Sequence, residues 1–480
     1  MKKKTIIILI FITLIIFYFI ASKFMFARHE GLVKNIRDNV PQSVKKILKD
    51  TVFLVPTLKK KSLNLENQIL DLKRKSNKQG LFIDGILNKL NSNNFYYNKL
   101  ILSEKNFKYD LTKILLPFYD LENVYLNKKQ GYLEVINDEL YVFFWSGKIV
   151  TISLYELFNN NKVTHNKFKV IENNINEFIY DHRFKWIGVK DTVLYNDFIY
   201  ISYTKELKNN CFSLGVLKAP LNKSNSDFLK FEEMISFDEC VSINNSDNFS
   251  NRKYFGGYQA GGRMEIYDNN LLLTIGDYRT WELPQKNNSI FGKILSINLQ
   301  NKEIKTISKG HRNPQGLLLY KKDYLFSSEH GPKGGDEINL LLSKNFEKNN
   351  NYGWPLASYG SHYGSVSENY KLKKIAPLYK SHSNYGFIEP LEIFTPAIGV
   401  SQLIENKFDK KRIFITSLKA NKIFDYTFNV SDLKLKPEDV ISVDERIRDI
   451  AFDPKTNTYI LFLEDSPAIG ILKKINDTDF

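Results

Sequence analysis

Cysteine is nearly absent: the 480-residue chain carries only Cys211 and Cys240. Two thiols cannot build a four-ligand structural zinc site, and neither an HExxH motif nor paired CxxC motifs occur. A P-loop, a GxGxxG turn after a strand and a GxSxG elbow are missing too, so nucleotide-cradling and serine-hydrolase chemistry have no sequence support. Acidic residues are scarce in one region: residues 1–120 hold 22 Lys/Arg against 9 Asp/Glu, a balance of +13. Subtracting this from the net +15 leaves about +2 for residues 121–480, so the large C-terminal part is close to neutral. It shows no basic stripe with interleaved aromatics, which argues against nucleic acid as a partner.

What is present begins with the N-terminus. Lys2, Lys3 and Lys4 precede a charge-free, mostly apolar run from Thr5 to Ser22, about long enough to span a bilayer. Ala21-Ser22 makes a weak cleavage site for a signal peptide, so an uncleaved signal anchor is the expectation. The leading lysines place the N-terminus in the cytoplasm and the bulk of the chain on the periplasmic, extracytoplasmic side. The basic region after the span suits anionic lipid headgroups, or is simply a solvated helical face. In an exported domain the two cysteines either pair as a disulfide or remain buried thiols.

Three segments follow from the pattern. Residues 1–22 are the expected transmembrane helix. Residues 23–118 form a basic, partly helical stalk, with Leu65, Ile69 and Leu72 at helical spacing and a helix expected over about 57–78. From 119 to 480 short apolar runs alternate with turn residues. Paired runs recur at Gly131–Ser153, Trp186–Leu221, Gly262–Leu299, Pro314–Leu342, Pro396–Phe428 and Ile447–Ile475. Met264–Tyr267, then Asp268-Asn269-Asn270, then Leu271–Ile275 reads as a hairpin. Six such units predict an all-β fold, a six-bladed β-propeller, with a large β-sandwich or β-helix as alternatives.

The densest chemistry lies in GHRNPQG (310–316), SSEHGPKGGDEINL (327–340) and NYGWP (351–355). Gly and Pro at such spacing specify turns, and Arg312 with Asn313 offers a guanidinium fork and an amide to a ligand rich in carboxylates and carbonyls. The turn at Gly331-Pro332 has carbonyls suited to a hard cation such as Ca²⁺, which Asp336 and Glu337 could share unless they anchor the loop. Arg446 and Arg448 alternate onto one side of an extended segment, and Lys419 follows a predicted strand, Arg412–Thr416.

In this order, GHRNPQG, SEHGPKGGDEINL, NYGWP, SLK (417–419) and RIRD (446–449) resemble the soluble quinoprotein sugar dehydrogenases, the glucose/sorbosone and aldose sugar dehydrogenase family. Gly261-Gly262-Arg263-Met264 with Leu273-Thr274-Ile275-Gly276-Asp277 is similar to the GGRL…TIGD element of that family. The likeness spans about 120–475 and implies a six-bladed propeller that oxidises aldoses with pyrroloquinoline quinone (PQQ) and Ca²⁺. It implies that Arg312, Asn313, Lys419, Arg446 and Arg448 hold PQQ. The carbonyls of Gly331 and Pro332 would ligate Ca²⁺, with His330 beside them.

One position departs. The family's catalytic base is a histidine four residues before the arginine of GGR, and here that residue is Gln259. An amide has no useful basicity, and losing such a base costs about two to four orders of magnitude in rate. His311, His330 and Asp277 are the substitutes to consider. The expectation is a membrane-anchored oxidoreductase acting on a small sugar or related alcohol; the alternative is a catalytically silent propeller that binds a sugar, a quinone or another protein.

Overall fold

A computed structural model describes residues 96–475, apart from 104, 106, 117–129, 160–162, 164–166, 180–186, 209–210, 222–227, 243–256 and 362–378. These residues belong to one compact unit, Asn88–Phe480. The expected transmembrane segment and the helix over 57–78 lie outside the described residues. Among the described residues no helix is long and apolar enough to cross a membrane.

Six mainly antiparallel sheets are arranged as propeller blades. Their inner strands, Gly131–Ile136, Val189–Tyr195, Gly261–Tyr267, Pro314–Tyr320, Val400–Glu405 and Ile447–Asp453, each neighbour the next, and the last returns to the first. Blades 1 to 6 are numbered by these strands. In blade 3 the order runs outward as Gly261–Tyr267, Asn270–Ile275, Lys293–Asn298 and Ile304–Lys309. The expected hairpin is present, with Ile266 opposite Leu271 and Asp268 at φ +51° in the turn. Blades 1 and 2 use Asn137-Asp138 and Asn196-Asp197, all at positive φ, the geometry that matches a tight turn to strand twist.

The propeller starts earlier than the expected boundary at 119. Lys108–Leu115 pairs with Ala468–Lys474, and Tyr96–Leu102 adds outside it, so N-terminal strands complete blade 6. This part of the segment assigned to a stalk is therefore sheet. Closing the ring with strands from the two ends of the described residues removes an open seam.

Apolar residues pack between neighbouring blades. Phe144 of blade 1 meets Phe462 of blade 6 edge-on at 6.1 Å, and Phe414 of blade 5 meets Tyr459 of blade 6 at 5.1 Å. Cys211 and Cys240 form a disulfide at the third strand of blade 2.

Candidate active site

A cavity of about 560 Å³ opens at the end of the ring where the inner strands begin. Local irregularity aims side chains into it. Register shifts in the inner strands of blades 2, 4 and 6 leave Lys190, Gln315 and Arg448 as the extra residues, and all three line the cavity. A bulge of this kind turns a side chain away from the regular alternation.

Eight of the residues expected at a site from the sequence line this one cavity: Gln259, Arg312, Asn313, Gly331, Pro332, Lys419, Arg446 and Arg448. Blades 3 to 6 contribute them. Glu464, which the sequence did not single out, accepts from Arg446 Nε at 3.0 Å and from Arg448 Nε at 2.6 Å, holding the two guanidinium groups side by side. Gln315 accepts from Arg448 Nη1 at 3.0 Å and donates to Asn313 Oδ1 at 3.1 Å. Arg312 donates through Nη1 to the His330 carbonyl at 2.9 Å and stacks over Trp354 at 5.4 Å.

The turn after Glu329 is built around Asp336. Its Oδ1 accepts from Gly331 N–H (3.1 Å), and its Oδ2 accepts from Gly399 N–H (2.7 Å) and Val400 N–H (3.3 Å). A Cβ at position 331 would fall 2.0 Å from the Gly335 carbonyl, so only glycine permits the close approach. Asp336 is thus an anchor of the loop. Glu337 faces the interior, 3.5 Å from His382 Nε2, and does not line the cavity.

Gln259 sits at φ +59°, over a glycine: a Cβ at position 276 would lie 2.0 Å from the Gln259 carbonyl. With its amide oriented to satisfy both neighbours, Gln259 donates to Asp277 Oδ1 at 2.6 Å and accepts from Arg312 Nη2 at 2.8 Å. Asp277 also accepts from Trp354 Nε1 at 2.8 Å and from Arg279 N–H at 2.8 Å. Burial pushes the Asp277 carboxyl up to about 7, against the pull of Arg312. Of the substitute bases considered, His311 is sealed between Ser308 (2.8 Å) and Glu329 (2.9 Å) and does not reach the cavity. Asp277 lies behind Gln259 and does not line the cavity. His330 lines the cavity with Nε2 at 2.5 Å from the Val400 carbonyl, and burial lowers its pKa.

Arg263 ties the ring together. Its Nη1 donates to Asp191 (2.7 Å) in blade 2 and Asp449 (2.8 Å) in blade 6, its Nη2 to the Arg448 carbonyl (2.8 Å), and its Nε to the Gln315 carbonyl (2.8 Å) in blade 4. Asp449 also accepts from Leu133 N–H in blade 1 at 2.8 Å. Burial pushes both carboxyls above their ordinary range, and the guanidinium they share restrains the rise. One buried cation thereby fixes the strands that carry Gln315 and Arg448.

The architecture and motifs agree with known proteins. Over 243 residues the chain is 29% identical to the aldose sugar dehydrogenase YliI of Escherichia coli, covering 46% of this chain and 60% of that one. Over 91 residues it is 38% identical to quinoprotein glucose dehydrogenase B of Acinetobacter calcoaceticus, covering 16% and 18%. The chain thus spans less than two thirds of the length of these relatives. The crystal structure of the soluble aldose sugar dehydrogenase from Escherichia coli in the apo-form superposes with a TM-score of 0.56 at 18% identity, covering 79% of this chain and all of that one, which shows a shared fold. A family model described as Glucose / Sorbosone dehydrogenase matches residues 187–472, more than half of the sequence. By that match the chain belongs to the glucose/sorbosone dehydrogenase family.

Proposed function

We propose that this protein is an exported, membrane-anchored oxidoreductase that uses PQQ and Ca²⁺ to oxidise an aldose or related alcohol. The observation that carries the reading is the single cavity gathering Arg312, Asn313, Lys419, Arg446 and Arg448 from separate blades. Such a set fits a flat tricarboxylate with quinone oxygens, because guanidinium forks pair with carboxylates in fixed geometry. The fit has further support: Arg312 Nε is buried with no partner among the described residues, a donor waiting for an acceptor. At the turn, Gly331 commits its N–H to Asp336, and Pro332 has none, so their carbonyls are the groups left for a hard cation.

When bound, PQQ with Ca²⁺ supplies the two-electron acceptor for hydride from the substrate carbon. The chain's own work is to bind and orient. Arg312, Lys419, Arg446 and Arg448 fix the cofactor, Glu464 keeps the last two arginines parallel, and Gln259 lines the space beside them. Gln259 cannot take a hydroxyl proton, so turnover is expected to run about two to four orders of magnitude below that of a site with an imidazole there. Its closed bridge between Asp277 and Arg312 favours, as a second reading, a propeller that binds ligand without turnover. Reconstituting the full chain with PQQ and Ca²⁺ and following dye reduction across a sugar panel separates the two. Measurable turnover supports the first; tight PQQ binding with none supports the second.

The Cys211–Cys240 disulfide supports an oxidising compartment, in keeping with the charge-free run from Thr5 to Ser22 behind three lysines.

A further inference from the structure

Blade 1 gives the cavity two polar side chains that the cofactor assignment leaves unused, Gln130 and Tyr132. Blades 2 to 6 each break register in the inner hairpin, whereas Gly131–Ile136 pairs with Glu139–Phe144 without a shift. The Trp145 N–H donates to the Gln130 carbonyl at 3.0 Å and carries that ladder one residue further. Regular alternation therefore sends Gln130 and Tyr132 to one side of the strand and Gly131 to the other. A Cβ on Gly131 would fall 2.2 Å from the Phe462 ring of blade 6. That close packing fixes which way the strand faces, and its two polar side chains keep their aim.

Both side chains are set deep, and both have polar atoms to offer. Gln130 is 8% exposed, and its amide has no hydrogen-bond partner among the described residues. Tyr132 is 3% exposed, with the Arg263 guanidinium 5.1 Å from its ring centroid, and its hydroxyl has no such partner either. Burial raises the pKa of that hydroxyl against the pull of Arg448 and Arg263, so it stays a donor. Buried polar groups left this way call for a ligand group to pair with them. Neither is a cation suited to a carboxylate. An amide with its N–H and C=O, beside a phenol, matches hydroxyl groups, which both donate and accept. Two positions apart on a strand, the residues stand about 7 Å apart at the backbone, within reach of two hydroxyls on one pyranose.

We propose that Gln130 and Tyr132 form the hydroxyl-recognising wall of the substrate site, holding a sugar ring by hydroxyls away from the reacting carbon. The proposal rests on the reading of this cavity as a sugar dehydrogenase site. It narrows the substrate to a polyhydroxylated ring, because a monohydric alcohol has no hydroxyl to spare for either group.

The test is a saturation-transfer NMR titration of D-glucose, D-galactose, D-mannose and D-xylose with the full chain, with and without PQQ and Ca²⁺. This reads binding whether or not turnover follows, and loading is tracked separately by the absorbance of PQQ. At least one sugar should bind. Gln130→Leu and Tyr132→Phe, which keep the buried bulk, should each weaken it about three- to tenfold and leave PQQ affinity unchanged. Monodeoxy analogues of that sugar then locate the contact. One of them should bind the wild type weakly yet lose nothing further in Gln130→Leu, because the same hydrogen bond is removed from either side. No sugar bound in either state, sugar affinity unchanged in both variants, a variant that weakens PQQ and spares the sugar, or the same loss for every deoxy analogue overturns the proposal. A chain that never loads PQQ contradicts the cofactor assignment instead, and sugar binding by the unloaded protein still decides the role of Gln130 and Tyr132.

Discussion

Gln259 and Asp277 are joined by a 2.6 Å hydrogen bond, and the same glutamine accepts from Arg312 at 2.8 Å. Gln259 lines the cavity with Asp277 behind it, at the position where the proposed reading would place a histidine base. The side chain at that position is an amide, held between a carboxylate and a guanidinium.

Replacing that amide tests the arrangement. Gln259→His should raise dye-linked turnover by about two to four orders of magnitude, because Asp277 is positioned to hold one ring nitrogen and leave the other facing the cavity. A loaded but equally slow variant would show that the missing base is not what limits the wild type.

Asp277 also makes a pH prediction. Its folded pKa of about 7 lies above the ordinary carboxyl value, so the folded state binds this proton more tightly than the unfolded chain. The stability it contributes is full below about pH 4 and is lost as pH rises through about 7, on the order of 4 kcal/mol at most. In Asp277→Asn, urea melts at several pH values should show a flatter decline across that window.

Arg263 should be a keystone of stability. Arg263→Met leaves Asp191 and Asp449 buried without their cation and is expected to cost about 3–5 kcal/mol. Adding Asp191→Asn and Asp449→Asn should recover much of the loss in denaturant unfolding. An equally unstable triple variant would mean that the guanidinium acts through packing rather than charge.

The disulfide gives a separate handle. Converting Cys211 and Cys240 to serine opens a loop with a sequence separation of 29 and should lower unfolding free energy by about 3–4 kcal/mol. A reducing agent should then shift the wild type and leave the double variant unmoved.

Much of this was legible because it is local. Each of the six paired apolar runs contains strands of one blade, and the turn residues between them, such as Asn137-Asp138, advertise their positive φ. Site residues in Gly-Pro turns stood out for the same reason. The strands Tyr96–Leu102 and Lys108–Leu115 did not, since their lysines resemble a solvated segment and the strand that joins them to the ring lies over 350 residues away. Lys190, Gln315 and Glu464 escaped notice because nothing in their neighbourhood marks a bulge or a shared ion pair.

The most direct test of the central claim is titration of PQQ into the full chain in the presence of Ca²⁺. Saturable binding of one PQQ per chain, weakened by chelating Ca²⁺ and by Lys419→Met, is the expected result. No saturable binding, or binding indifferent to both Ca²⁺ and Lys419, would contradict the assignment of this cavity as a cofactor cradle.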